Sequence, residues 1–190
     1  MDGTIRIWDS RSPHNFEAEL LLEKISDRCL LVEEVTQELN ADSTLSPELR
    51  REAIQLATER GNADSSLLLH RAGVTSMAQN RSTQEYMQAL RRAYAGTQAL
   101  PWLGDGYLVL ALLQYRTGDF DKALVTAQRA MEIQKSQSDD AHAVRAMAYY
   151  RLHDTARARS EAVMARQSAK QFGVTGDDPL LQEAEALVGK

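Results

Sequence analysis

Asp139, Asp140 and His142 are the residues of this sequence whose type and spacing come closest to a reactive site, because carboxylates and an imidazole can ligate a metal ion. The four histidines are scattered, however, and no pair has the His-x-x-x-His spacing of a zinc-binding helix. Aspartates at the start of a helix are typical of an N-cap, and we interpret Asp139 and Asp140 in that way. The sequence therefore predicts no metal site.

The sequence also offers no pattern typical of a catalytic nucleophile. The sequence contains no Gly-x-Ser-x-Gly turn and no glycine-rich phosphate loop. Ser26-Asp27 and Ser138-Asp139-Asp140 are read as caps or turns. Cys29 is the only cysteine and lies in an apolar helical pattern, where we expect it to be buried and not reactive. We expect no catalytic residue, no cofactor and no enzymatic activity.

Composition narrows the class of protein further. A hydrophobic content of 43% and a charged content of 26% are those of a soluble globular protein. The net charge of −5 argues against nucleic-acid binding, which requires a stripe of basic residues. The longest strongly apolar segment, Tyr107 to Tyr115, is too short to span a bilayer. No signal peptide is visible at the N-terminus, so we expect a cytoplasmic protein that binds neither nucleic acid nor membranes.

The elements that would position functional side chains are paired helices. In residues 107–124 one apolar helix ends near Gly118, and an amphipathic helix starts at once with Phe120. This pattern recurs every 34 or 35 residues. The matched positions are Ala89, Ala123 and Ala158, and Tyr115 and Tyr150. A two-helix unit repeated at this period is typical of tetratricopeptide repeats, so the sequence predicts an all-α, tetratricopeptide-type helical array.

We expect the array to span residues 64–190, with three helix pairs and a capping helix. The first pair is predicted at 65–79 and 83–99, with Ser82 or Thr83 as the cap between them. In the second pair, Ala111 and Ala123 are expected at the closest helix contact. The third pair runs from Asp140 to about Lys170, with His153 in place of the turn glycine, and Asp177-Asp178-Pro179 opens a capping helix to Val188. Residues 14–63 are predicted to be a connecting segment of three helices, at 15–27, 31–41 and 47–60.

The first residues have a different character. Residues 2–9, Asp-Gly-Thr-Ile-Arg-Ile-Trp-Asp, read as a tight turn followed by a β-strand. They resemble the strand that ends a blade of a WD-repeat propeller. We expect residues 1–13 to be the remnant of the last blade of a propeller in a longer protein. The alternative is a β-prone tail that matches by chance.

The order of these parts resembles that of large bacterial proteins in which a WD-repeat propeller is followed by a helical segment and tetratricopeptide repeats. The residues that carry the resemblance are 2–9, 41–57 and 107–124. Many such proteins have a Ser/Thr protein kinase domain in front. This sequence has no His-Arg-Asp loop and no Asp-Phe-Gly motif, so the resemblance implies no kinase activity for this chain.

Repeat arrays of this kind bind other proteins. The leading hypothesis is therefore a non-catalytic protein–protein interaction scaffold, the C-terminal part of a larger regulatory or sensor protein. The alternative is a structural module that packs on its own propeller or self-associates, without an external ligand. Recognition of nucleic acid is a third hypothesis, which the net charge disfavours.

In tetratricopeptide arrays the first helix of each pair lines the concave face, and the resemblance places the peptide-binding surface there. The predicted binding residues are Leu108, Leu112, Tyr115, Arg116, Ala143, Met147, Tyr150 and Arg151. An apolar groove with two arginines suits an amphipathic helix or an extended apolar peptide. The sequence leaves open whether the groove is vacant or is filled by the chain's own helices at 15–60.

Overall fold

The computed structural model describes residues 13–26, 28, 30–135, 138–171, 173 and 178–189. Every regular element among these residues is an α-helix, so the predicted all-α class is confirmed for the part of the chain that the structure describes. The predicted strand at 2–9 and the predicted buried Cys29 lie outside the described residues.

The described residues form ten helices, whose bounds follow in chain order. They are α1 Pro13–Ile25, α2 Val32–Ala41, α3 Pro47–Arg60, α4 Ser65–Met77, α5 Thr83–Ala99, α6 Gly104–Arg116, α7 Phe120–Gln134, α8 Asp139–Arg151, α9 Thr155–Gln171 and α10 Pro179–Val188. None of them is long and apolar enough to cross a membrane. The chain divides into two compact units, residues 1–63 and residues 64–190.

The first unit packs α1 and α2 against α3. Its buried core consists of Ala18, Leu22, Ile25, Leu39, Ala53 and Ala57. Ser46 starts α3 by accepting a hydrogen bond from the Leu49 amide, and Pro47 occupies the first turn, where no amide donor is needed. The Arg50 guanidinium donates to the carbonyl oxygens of Leu39 and Asp42 and thereby satisfies the C-terminal end of α2.

The second unit is built from antiparallel helix pairs. The pairs are α4 with α5, α6 with α7, and α8 with α9, and each pair packs on the next. The first helix of each pair also contacts the first helix of the next pair: α4 contacts α6, and α6 contacts α8. The side chain of Asp64 caps α4, and Ser82 forms a reciprocal capping box with Glu85 at the start of α5.

The turns inside the second and third pairs have the same hydrogen bonds, 35 residues apart. The Asp119 amide donates to the Gln114 carbonyl over 2.8 Å, and the Asp154 amide donates to the Tyr149 carbonyl over 2.9 Å. Gly118, at a φ of 87°, and His153, at 63°, occupy the same left-handed position. These two turns thus share one backbone geometry at a spacing of 35 residues, although one turn has a glycine and the other does not.

Candidate peptide-binding groove

The predicted binding residues lie on two neighbouring helices, α6 and α8. Leu112 and Tyr115 on α6 are 2% and 6% exposed, and Ala143 and Met147 on α8 are fully buried. These four belong to one hydrophobic cluster, against which Leu108 and Tyr150 pack. We call the surface formed by these six residues the groove. The structure brings the predicted residues together, whereas their role in binding stays a prediction.

The groove is covered by α10. Leu180, Leu181, Ala184 and Val188 of α10 are buried in the same hydrophobic cluster as the groove residues. The side chain of Asp178 starts α10 by accepting hydrogen bonds from the Leu180 and Leu181 amides, over 2.8 and 2.9 Å. In their contacts with the preceding pair, α6 and α8 pack more on its second helix than on its first, whereas α10 packs more on α8, the first helix, than on α9. An amphipathic helix of this chain therefore lies on the predicted binding face.

An ion pair joins α10 to α6. Arg116 donates from both terminal nitrogens to the Glu183 carboxylate, with its second nitrogen 2.5 Å from Oε2. Its Nε donates to the Ser76 carbonyl at 3.2 Å, and Gln79 donates to Glu183 at the same distance. The side chains of Arg116 and Glu183 are only 9% and 19% exposed. This geometry is the two-pronged arrangement by which arginine recognises a carboxylate most strongly.

Glu183 stabilises the charged form of Arg116. Burial alone would lower the pKa of Arg116, but the hydrogen bonds and negative charge of Glu183 outweigh that cost and raise it. A guanidinium that is only 9% exposed costs free energy when it has no partner. Any helix that lies on the groove therefore gains from an acidic residue opposite Arg116.

The second predicted arginine has a weaker role. Arg151 is exposed, and its Nε donates to the Tyr115 hydroxyl at 3.4 Å. That hydrogen bond is the main cause of the raised pKa of Arg151. The ring of Tyr115 also packs against the ring of Phe120, with 5.7 Å between centroids. Arg151 thus contacts the Tyr115 hydroxyl at the end of the groove. The Glu183 carboxylate is bound by Arg116.

The Asp139, Asp140 and His142 stretch is not gathered into one site. The sequence suggested an aspartate as the N-cap of α8, but the cap is Ser138, because its side chain accepts a hydrogen bond from the Ala141 amide; both aspartates lie in the first turn. His142 instead faces α9, where its Nδ1 lies 2.6 Å from Oε2 of Glu161. Within the described ranges, no group of three or more His, Cys, Asp or Glu residues is placed to hold a metal ion.

Sequence reasoning missed three groups that complete the groove: Glu183, Gln79 and the Ser76 carbonyl. Glu183 lies between Leu181 and Ala184 on the apolar side of α10. An acidic residue among buried apolar ones indicates that it has a partner, and this was the signal that the sequence offered. Its partner Arg116 is 67 residues away in the chain. No local pattern specifies which cation such a residue will meet.

No family model matches this chain, and no curated protein is significantly similar to it.

Proposed function

We propose that this chain is a non-catalytic scaffold of the tetratricopeptide type, whose groove binds an amphipathic helix of another protein. The repeated turn geometry and the fully buried Ala111, Ala123 and Ala158 support the repeat assignment. The observation that carries the binding proposal is the seating of α10, which places apolar side chains on the groove and Glu183 on Arg116. The groove thereby accepts a helix with one defined pattern of side chains.

The pattern of α10 defines the expected partner. Its buried residues Leu180, Leu181, Ala184 and Val188 have helical spacing, and Glu183 supplies the carboxylate for Arg116. A partner helix is expected to carry apolar residues at the same four positions and an acidic residue in register with Glu183. Because α10 occupies the groove in cis, the partner helix must displace it.

The larger setting belongs to the same proposal. Residues 2–9 resemble the end of a WD-repeat blade, and the order of parts resembles that of bacterial regulatory proteins with a propeller and tetratricopeptide repeats. We infer that the chain serves as the C-terminal interaction module of such a protein. The absence of catalytic motifs in the sequence supports a binding role.

A second candidate function has an observation in its favour. Leu112 and Met147 are 2% and 0% exposed and lie in the hydrophobic cluster that also contains the buried residues of α10, so the groove is already filled. This favours a structural module in which α10 closes the end of the array and no external ligand binds. The two candidates differ in whether a helix supplied in trans can take the place of α10.

A peptide-exchange experiment separates the two candidates. In the full chain, Leu181→Asp places a charge in the apolar contact and should release α10 from the groove. A fluorescent peptide with the sequence of residues 178–189 is then titrated into both proteins, and anisotropy is measured. We expect at least about tenfold tighter binding to the Leu181→Asp variant than to the unmodified chain, since α10 no longer competes.

Charge exchange supplies the matched control. A peptide with arginine at the position of Glu183 should bind the Leu181→Asp chain weakly, and should bind it again when Arg116→Glu is added. Circular dichroism checks that each variant remains helical, and Glu183→Arg in the chain is a second way to release α10. If the peptide binds no folded variant in which α10 is released, the groove has no external ligand and the structural module is correct.

A further inference from the structure

A second apolar surface lies between α4 and α6, the first helices of the first two pairs. It is an open pocket of about 300 Å³, which we call the α4–α6 pocket. The buried Leu69 lies at its base, and Val74 and Leu103, which are 58% and 37% exposed, lie at its rim. Its polar residues are His70 and Asp105. Exposed apolar side chains gathered at one place with polar neighbours are typical of interaction sites.

The turn before α6 extends this apolar surface. Trp102 directly precedes Leu103 and is 70% exposed. Tryptophan is enriched among the residues that dominate protein–protein binding, because its ring buries a large apolar area when a partner covers it. An exposed tryptophan next to an apolar pocket therefore indicates a docking surface for another protein.

Negative charge adjoins the pocket. Asp105 lines it and lies within electrostatic range of Asp140, at the start of α8, as Asp139 and Asp178 also do. Burial and these three negative charges raise the pKa of Asp140 to about 6. The Asp105 carboxylate accepts a hydrogen bond from the neutral amide of Gln134, and none of the four carboxylates forms a salt bridge within the described part of the chain. A positive charge brought by a partner would therefore relieve their repulsion.

We propose that the α4–α6 pocket binds a basic amphipathic segment of a partner protein, which seats an apolar side chain between Val74 and Leu103 and places lysine or arginine opposite Asp105. Charge complementarity selects this partner, since the four carboxylates would repel a nucleic acid or an anionic membrane. The proposal is independent of the function proposed for the groove. The groove presents Arg116 and favours an acidic helix, whereas the α4–α6 pocket favours a basic one.

Two designed peptides test the charge selectivity. One is an amphipathic helix of leucine and lysine, about four turns long, and the other has glutamate in place of every lysine. Each carries a fluorescent label and is titrated into the full chain at about pH 8, where Asp140 is ionised, and anisotropy is measured. We expect saturable binding of the lysine peptide, at least about tenfold tighter than that of the glutamate peptide, and weaker binding as the salt concentration rises.

Four variants at exposed positions assign the binding to the pocket. Asp105→Asn should weaken binding of the lysine peptide about two- to fivefold, the effect of one exposed ion pair, and Val74→Asn should weaken it about threefold or more. The matched controls are Asp121→Asn, in the first turn of α7, and Val163→Asn, at a valine of α9 that is 51% exposed. Both controls should leave the affinity unchanged. Absence of saturable binding, equal binding of the two peptides, or equal effects of the pocket variants and their controls would each overturn the proposal.

Discussion

Asp140 in the first turn of α8 lies among like charges. Burial raises its pKa from 3.8 to about 6, and the negative charges of Asp178, Asp139 and Asp105 add to this shift. Asp178 is also the cap of α10, so the repulsion acts where that helix begins. The folded protein therefore binds the Asp140 proton more tightly than the unfolded chain does. This residue stabilises the fold in acid, and the stabilisation is lost as the pH rises from about 4 through about 6.

Asp140→Asn should make this pH dependence visible. We expect the variant to be more stable than the unmodified chain above about pH 6, and the difference in unfolding free energy to vanish below about pH 4. Urea denaturation of both proteins across this pH range measures their unfolding free energies. Subtracting one from the other cancels the contributions of the titrating groups that the two proteins share. A constant difference at every pH would show that folding does not raise the pKa of Asp140.

Single residues also show where sequence patterns stop being informative. Gly118 was recognisable as a turn residue, because glycine adopts a positive φ without steric cost. His153 takes the same conformation at 63°, although nothing in its type requires it. The sequence indicated the turn at His153 only through its distance from Gly118. Repetition, and not residue preference, made that turn predictable.

At the scale of elements, small residues determine how closely the helices pack. Ala111 of α6 and Ala123 of α7 are both fully buried in one cluster, and α6 and α7 form one of the two most extensive helix contacts. Side chains this short allow close approach of two helix axes, and interiors at native packing density leave no room for added atoms. The sequence prediction that these alanines lie at a tight contact agrees with this burial.

Ala123→Leu should therefore overpack the contact between α6 and α7. We expect a loss of about 1–3 kcal/mol in unfolding free energy, because the added methyl groups must displace neighbouring side chains. Val125→Leu adds volume to the same helix at a position that is 72% exposed, and it should change the stability little. Chemical denaturation compares the two variants. Equal stability of the two would mean that Ala123 is not at the close contact.

Other contacts between elements could not be predicted. Glu161 of α9 accepts hydrogen bonds from Arg145 of α8 over 3.0 and 2.7 Å, beside its contact with His142. Burial alone would raise the pKa of Glu161, but these hydrogen bonds lower it. The partners are 16 and 19 residues apart and lie on different helices. Helical periodicity indicates on which face of its helix each residue lies. Which residues of two helices meet depends on the rotation of one helix against the other.

At the scale of the whole molecule, helix limits were predictable, whereas the contact of α10 with α6 was not. The predicted helices at 15–27, 31–41, 47–60, 65–79 and 83–99 agree with the structure within two residues at each end, since caps, proline and glycine mark them locally. The residues of the predicted groove were chosen by counting along the repeats. Their burial by α10 depends on contacts such as Arg116 with Glu183, far apart in the chain, which no local signal specifies.

The division at residues 63 and 64 leads to a last prediction. Residues 64–190 contain two hydrophobic clusters, and they retain Asp64, the side chain that caps α4. A fragment of these residues should therefore be helical by circular dichroism and should unfold in one cooperative transition. A shorter fragment, residues 82–190, keeps the capping box of α5 but loses α4, whose Leu68 and Leu69 are buried. We expect this shorter fragment to be markedly less stable, since α5 and α6 lose a packing partner. A broad, non-cooperative transition for residues 64–190 would contradict the assignment of an independent folding unit.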